Sequence, residues 1–306
     1  MRALACPASL KGVLGASAAA AALAEGFRRA GAAVRELPVA DGGEGTAEAL
    51  HRASGGAWHR QVVPDAFGRR RTARWLELPG GTAVVEAAQA IPLDPDRLDP
   101  MSASSRGLGE LIVAAGDLPR MIVGLGGTAT VDGGAGLQEV LRELPAPTAV
   151  ACDTLVPLLD AALLYAPQKG ASPAQVDELA ERLAAMDDLA PYAERPGAGA
   201  AGGLGAALAA LGADLVPGAA LVLDRIGFDP LGFDLVVTGE GRVDRTTATG
   251  KAPGEVVRRC REVGARCVVF GGVVDEPLGG VETVPLSGDP GRARDDLIAL
   301  GERLAR

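Results

Sequence analysis

Short apolar runs recur along this chain, and several of them stop at a glycine or a proline. Arg2 to Cys6, Val34 to Val39, Met121 to Leu125, Thr148 to Cys152, Leu235 to Val237, Arg266 to Phe270 and Glu282 to Leu286 read as buried strands. Helical patterning separates them. Val13 to Arg29 is alanine-rich and ends at Gly31; Thr46 to Ser54, Pro253 to Val263 and Gly291 to Leu304 follow the same logic. Ser172 to Met186 places Val176, Leu179 and Leu183 on one face, with Ser172-Pro173 as its start, and an alanine-leucine helix ends near Leu211. Ser104 or Ser105 is expected to cap a helix running to about Ala115. The texture changes between Trp58 and Glu86. Trp58–Pro64, Thr72–Leu78 and Thr82–Glu86 are strands joined by Phe67-Gly68 and Pro79-Gly80-Gly81 turns, an antiparallel or mixed arrangement. The opening strand, helix and strand demand a parallel sheet with a right-handed crossover. The fold expected is therefore α/β. One parallel-sheet domain is built from both chain ends (residues 1–56 and 228–306), and a second α/β domain with a mixed sheet is inserted over residues 57–227.

The chemistry gathers where strands end. Gly124 to Gly136 reads GLGGTATVDGGAG: Gly126-Gly127 permits a turn with positive φ, two threonines and Asp132 follow, and a helix begins near Gly134. A strand, a glycine turn and a helix N-terminus together point backbone N–H groups at an anion. Thr238 to Lys251, TGEGRVDRTTATGK, repeats the logic after another buried strand, and Ala40 to Thr46, ADGGEGT, holds two carboxylates among its glycines. Such turns imply one polyanionic ligand held by two parts of the chain; the plain alternative is tight loops that only connect elements. Gly197, Gly199 and Gly202 match GxGxxG, but Ala193-Glu-Arg-Pro precedes them instead of a strand, so a hinge or close helix packing is expected there, not a dinucleotide site.

Composition narrows the partners. A formal net charge of -9 over 306 residues, with a pI near 4.9, argues against nucleic acid and against an anionic membrane surface, and leaves small substrates. No run of about 18 apolar residues is long enough to span a bilayer, and Cys6 comes too early for a lipoprotein signal. The 4 cysteines lack CxxC spacing and sit among apolar residues, the pattern of reduced thiols in a cytoplasmic protein. The 2 histidines fit neither HExxH nor a Ser-His-Asp triad. Arginine is abundant, yet the only lysines are Lys11, Lys169 and Lys251, each beside a glycine. Lys11 and Lys251 are read as ligand-facing ammonium groups; Lys169 is balanced between that role and a chance surface turn.

Phosphoryl transfer needs amide donors for phosphate oxygens, a cation for developing charge, and Mg²⁺ held by one or two carboxylates. The parts present are the Gly126-Gly127 amides, Lys11, Lys251, Asp41, Glu44, Asp132, Glu240 and Asp244. A carboxylate on a loop tip is more often a solvated cap, and Glu44 suits a helix-dipole partner. Gly250-Lys251 is followed by Ala252 with no glycine at the required upstream position, which excludes a P-loop kinase.

Several of these stretches resemble one family. GLGGTATVDGGAGL, DLVVTGEGRVDRTTATGKAP, PVADGGEGT, APQKGA and PGAGAAGGLGAAL are similar, in the same order from Pro7 to about Gly272, to motifs of the bacterial glycerate kinases of the first type. The resemblance implies a Rossmann-like domain with an inserted second domain. It also implies ATP-dependent phosphorylation of D-glycerate, usually at the 2-hydroxyl, or of a close small hydroxy-acid, with Mg²⁺. Carried onto this chain, Lys11, Asp132, Asp244 and Lys251 are the catalytic set, with Asp132 and Asp244 as Mg²⁺ ligands. Gly126, Gly127, Thr128, Glu240, Gly241 and Gly250 would bind nucleotide, and Ser9, Asp41, Ser105 and Arg106 the acceptor. A cytoplasmic monomer or homodimer, with no nucleic-acid or membrane partner, is the matching expectation.

The chain departs from the family pattern at Ala8 (usually Asp), Val131 and Val156 (usually Asn), Arg106 (usually Tyr) and Leu108 (usually Thr), and it is short between Leu141 and Thr148. Losing an acid and two amides removes hydrogen bonds that a hydroxy-acid would use. A catalytically impaired paralogue that binds a nucleotide or sugar acid is therefore the alternative. A dinucleotide-dependent oxidoreductase is weaker still, since no GxGxxG follows the Arg2–Cys6 strand.

Overall fold

A computed structural model describes all residues, 1–306. In chain order the elements are β1 (Arg2–Ala5), α1 (Ala16–Arg29), β2 (Ala33–Glu36), α2 (Thr46–Ser54), β3 (Ala57–Pro64), β4 (Arg70–Leu78), β5 (Thr82–Glu86), α3 (Ala87–Ala90), α4 (Arg106–Ala114), β6 (Arg120–Leu125), α5 (Ala135–Val140), β7 (Thr148–Cys152), α6 (Asp160–Tyr165), α7 (Pro173–Ala184), α8 (Ala200–Ala210), β8 (Asp214–Pro217), α9 (Gly218–Arg225), β9 (Leu235–Val243), α10 (Ala252–Glu262), β10 (Cys267–Val274), β11 (Glu282–Pro285) and α11 (Ala293–Leu304). The chain divides into two compact units: Met1–Asp41 with Val222–Arg306, and Gly42–Leu221.

The first unit carries a fully parallel five-stranded sheet in the order β11-β10-β9-β1-β2. From β1 the chain steps one way to β2; from β9 it steps the other way to β10 and β11. Right-handed crossovers therefore send α1 and α10 to opposite faces. The burial pattern of β10 agrees: Val268 and Phe270 join Leu23, Phe27, Leu297 and Ile298 on one side, while Val269 joins Val243, Val257 and Leu278 on the other. Helices α1 and α11 touch through their backbones. A Cβ on Gly26 would lie 2.0 Å from the Ile298 carbonyl oxygen, and one on Gly301 would lie 2.4 Å from that of Leu23. The change of direction between β1 and β9 opens a crevice beyond their carboxyl ends, the usual place for a ligand in an open parallel sheet.

The second unit has a mixed six-stranded sheet in the order β3-β4-β5-β6-β7-β8. The β3-β4-β5 pairs are antiparallel, and those from β5 to β8 are parallel. Helix α2 belongs to this unit, so the first passage between units falls at Asp41/Gly42 and not near residue 56. The cause is local. The buried Glu86 carboxylate, at the end of β5, accepts a 2.7 Å hydrogen bond from the Ala47 amide. Gly42 is wedged so closely that a Cβ would lie 2.8 Å from the Ala151 oxygen and 2.9 Å from Gly218 Cα. The second passage lies inside α9, at Leu221/Val222.

Other differences from the sequence reading have equally local reasons. Strand β9 continues past Val237 to Val243 because β10 pairs with it as far as Val274; the polar residues Thr238, Glu240 and Arg242 hid the continuation. Helix α1 starts at Ala16, since Leu10–Leu14 form a bridged turn around Gly12 at φ +75°. The segments α3, α6, β8 and α9 have too few residues to declare a period. Ser172 caps α7 in a reciprocal box with Gln175, as its sequence promised. At Gly202, with φ +72°, a Cβ would stand 2.2 Å from the Thr130 oxygen, so the glycine-rich entry to α8 is a close-packing device. All four cysteines are free thiols; Cys6, Cys152 and Cys260 are buried, and burial pushes the Cys152 thiol up to about 12. No helix is long and apolar enough to cross a membrane.

Candidate active site

The first unit holds a cavity of about 410 Å³ lined by Ser9, Lys11, Glu240, Gly241, Asp244 and Lys251, with Gly272, Gly288 and Asp296 on its other walls. The local folding explains the gathering. Beyond β1 the chain turns back through Ser9–Lys11 and lies flat on β9: a Cβ on Gly241 would meet Leu10 Cα and Lys11 N at 3.3 Å. Past β9, Asp244 starts a 3₁₀ turn (Arg245–Ala248) by accepting from the Thr246 amide at 2.8 Å, and the Thr247 hydroxyl donates to Glu240 Oε1 at 2.7 Å. Gly254 lets that turn seat on α10, since a Cβ would lie 2.1 Å from the Thr247 oxygen. Lys251 is the N-cap residue of α10, and Gly250 precedes it at φ +94°. Its ammonium stands 3.4 Å from Glu240 Oε2 and 3.9 Å from Asp244 Oδ1.

The two carboxylates differ in environment. Burial raises the Glu240 carboxyl above its ordinary range; the Thr247 hydroxyl and the Lys251 ammonium oppose that, while the Asp41 charge adds to it. Burial acts on Asp244 too, but the bonds from Thr246 and the nearby Lys251 outweigh it and hold that carboxyl below its usual value. The cavity therefore presents an ionised aspartate, two ammonium groups and a helix N-terminus.

The remaining expected residues lie in the second unit. Gly126, Gly127 and Thr128 follow β6. Leu93 N donates to Gly127 O at 2.7 Å and Ala129 N to Ile91 O at 3.1 Å, a short ladder that does not use the amides of Gly126, Gly127 or Thr128. Gly126 packs where a Cβ would be 2.7 Å from Gly43 Cα and 2.8 Å from Asp153 Oδ2. Asp132 is saturated from inside: Oδ2 accepts from Ser105 N and Oγ at 2.8 Å and from Gly136 N at 3.2 Å, and Oδ1 from Gly134 N at 3.1 Å. Ser105 gives no side-chain cap to α4; its hydroxyl also accepts from Leu137 N at 2.9 Å, tying α4 to α5. Arg106 pairs with Glu110 at 3.1 Å and Glu139 at 3.0 Å. No three His, Cys, Asp or Glu side chains gather into a metal cage.

A family model described as the glycerate kinase family matches residues 3–144 and 142–286. The chain belongs to the glycerate kinase family. Curated relatives include glycerate kinase of Bacillus subtilis, 37% identical over 83% of this chain and 80% of that protein, and glycerate 2-kinase of Escherichia coli, 36% identical with the same coverage. Among solved structures, a putative glycerate kinase 2 from Salmonella typhimurium LT2 matches at a TM-score of 0.80 and 30% identity, covering 100% of this chain and 97% of that one. The protein is a small-molecule kinase with an α/β fold of one parallel and one mixed sheet.

Within this kinase family the departures at Ala8, Val131 and Val156 acquire a structural setting. Val131 is buried in one apolar cluster with Leu158, Ala198, Ala206 and Ala207. The amide and carbonyl of Ala8 and Val156 still work: Ala8 N donates to Gly239 O at 2.8 Å and Val156 O accepts from Gly199 N at 3.0 Å. Sequence reasoning passed over Glu86 and Asp153. Glu86 is the last residue of β5 and Asp153 directly follows β7, and a carboxylate at the end of a buried strand was the available signal. It also passed over Gly272, Gly288 and Asp296, which no local pattern marks and only the sheet order brings to the cavity.

Proposed function

We propose that this kinase transfers the γ-phosphoryl group of ATP, as its Mg²⁺ complex, to D-glycerate in the cytoplasm, giving 2-phosphoglycerate. The observation that carries the reading is the cavity of the first unit. It joins Ser9 and Lys11 after β1 with Glu240 on β9 and with Asp244 and Lys251 after it, at the position where a parallel sheet receives ligands. Its ammonium groups and the α10 N-terminus complement phosphate charge. Lys251 meets the transferring phosphoryl group, and Glu240 holds its ammonium in place. Lys11 and Ser9 receive the carboxylate of the acid, with Asp41 nearby to orient a hydroxyl. In the second unit the Gly126–Thr128 turn, whose amides the ladder to Ile91 and Leu93 leaves unused, is a phosphate-binding candidate in its own right.

Mg²⁺ would neutralise charge developing on the phosphates; it is usually held by one or two carboxylates plus the phosphates themselves, without a protein cage. Asp244 suits that role, because it is kept ionised and its Thr246 bonds fall on Oδ1 alone. Asp132, with four internal donors, serves instead to shape its own turn. Ser105 and Arg106 are likewise committed to Asp132 and to Glu110 and Glu139, which leaves Ser9, Lys11 and Asp41 as the acceptor-side set. The presence of Lys11, Asp244 and Lys251 around one cavity supports a working kinase over an impaired paralogue.

Phosphorus NMR of a reaction with D-glycerate, ATP and Mg²⁺ tests this reading. A resonance of 2-phosphoglycerate that grows with ADP and stops on chelation is expected. ATP consumption that ignores glycerate, or a 3-phosphoglycerate signal from the first time points, would refute the stated acceptor or position.

A further inference from the structure

Lys11 and Lys251 line the cavity of the first unit, but Lys169 lies in the second and is 4% exposed. Its ammonium donates to the Thr130 carbonyl at 2.7 Å and approaches the Thr128 hydroxyl at 3.4 Å. The charges of Asp153 and Asp132 partly compensate for its burial. The side chain leaves the end of a 3₁₀ turn, Pro167–Lys169, which Gly170 anchors at φ +97° by lying against Leu98. On its other side the Gly127–Ala129 segment is held by the ladder to Ile91 and Leu93. The glycine turn is thus clamped from two directions, and one of the clamps is a buried cation.

Holding a loop does not require a charge. An apolar side chain of similar volume is often neutral or better for stability at a buried ionic site. An ammonium against a turn with unused amides adds positive potential there and fixes the hydroxyl of Thr128. We propose that Lys169 is a positioning residue for phosphoryl transfer, setting the shape and potential of the Gly126–Thr130 turn so that it grips nucleotide phosphate. The inference rests on the reading of that turn as a phosphate site.

Calorimetric titration with a non-hydrolysable ATP analogue and Mg²⁺, together with steady-state kinetics, tests the two separately. Gly127→Val probes the underlying reading, because φ is +66° there and a β-branched residue must distort the turn. If Gly127→Val binds the analogue like wild type, the turn is not a phosphate site and both ideas fall. If it weakens binding, Lys169→Met decides. Expected is a Kd for the analogue, and a KM for ATP, raised by about tenfold or more, the scale seen when a supporting residue behind a site is lost. The KM for glycerate and the melting temperature should stay near wild type, whereas a purely structural lysine would lower the amount of folded enzyme and leave both KM values alone. An unchanged Kd in folded Lys169→Met overturns the proposal while sparing the phosphate site. Should Lys169→Met fail to fold, Thr128→Val, which removes only the hydroxyl, replaces it: severalfold weaker analogue binding supports the role, and unaltered binding overturns it.

Discussion

Lys169 is a buried ionisable group and Glu240 a partly buried one, and burial shifts them in opposite directions. Loss of hydration lowers the Lys169 ammonium from its usual 10.5 to about 8, against the pull of Asp153 and Asp132. A lysine whose pKa falls on folding binds fewer protons in the native state than in the unfolded chain between those two values. Stability therefore rises as pH climbs from about 8 to 10.5 and is lost again as pH falls through the folded value. Denaturant melts of wild type and Lys169→Met across that window should diverge, with wild type gaining relative to the variant; parallel curves would show that the buried ammonium is not strained. Side chains of this kind are poorly legible in sequence. The glycine beside Lys169 was visible, but burial depends on Thr128, Thr130 and the Pro167–Lys169 turn, which only the folded unit assembles. Asp132 shows the converse, since its place after a glycine turn was legible and its four internal donors were not.

Among the elements, regular patterning was readable and irregular pairing was not. Helix α2 was placed residue for residue, and α7 was anticipated with its capping serine, because a start signal and a 3.6 period coincide there. Strand β9 was cut short because its later half is polar, although Glu240 and Arg242 sit on a strand and the cavity depends on that extension. The short segments α3, α6, β8 and α9 would need their neighbours to be recognised at all. The α1–α11 contact is similar, for nothing near Gly26 or Gly301 announces that two backbones meet. Gly26→Ala should force Ile298 and its helix outward and cost about 3 kcal/mol or more of unfolding free energy. Chemical denaturation measures it; a loss below about 0.5 kcal/mol, the range of ordinary surface changes, would mean the two helices are looser than described.

On the scale of the whole molecule, two sheets of different construction carry the candidate residues. The parallel sheet places Ser9, Lys11, Glu240, Asp244 and Lys251 around one cavity, and the mixed sheet presents the Gly126–Thr128 turn at the end of β6. The turns themselves were legible as glycine-and-carboxylate segments behind apolar runs. Which residues share a wall follows from sheet order, and that order is written in long-range pairings such as Ala5 with Val237. The limits of the first unit were misjudged near residue 56 for the same reason, since α2 owes its place to Glu86 and Gly42.

The account stands on Lys251 acting on phosphate within that cavity. A coupled assay of glycerate-dependent ADP release, comparing wild type with folded Lys251→Ala, addresses it directly. Wild type should release ADP only with glycerate and Mg²⁺, and the variant should lose kcat/KM by about 10²–10³-fold, the usual effect of removing one charge-stabilising donor. Equal kcat/KM for the two proteins would contradict it.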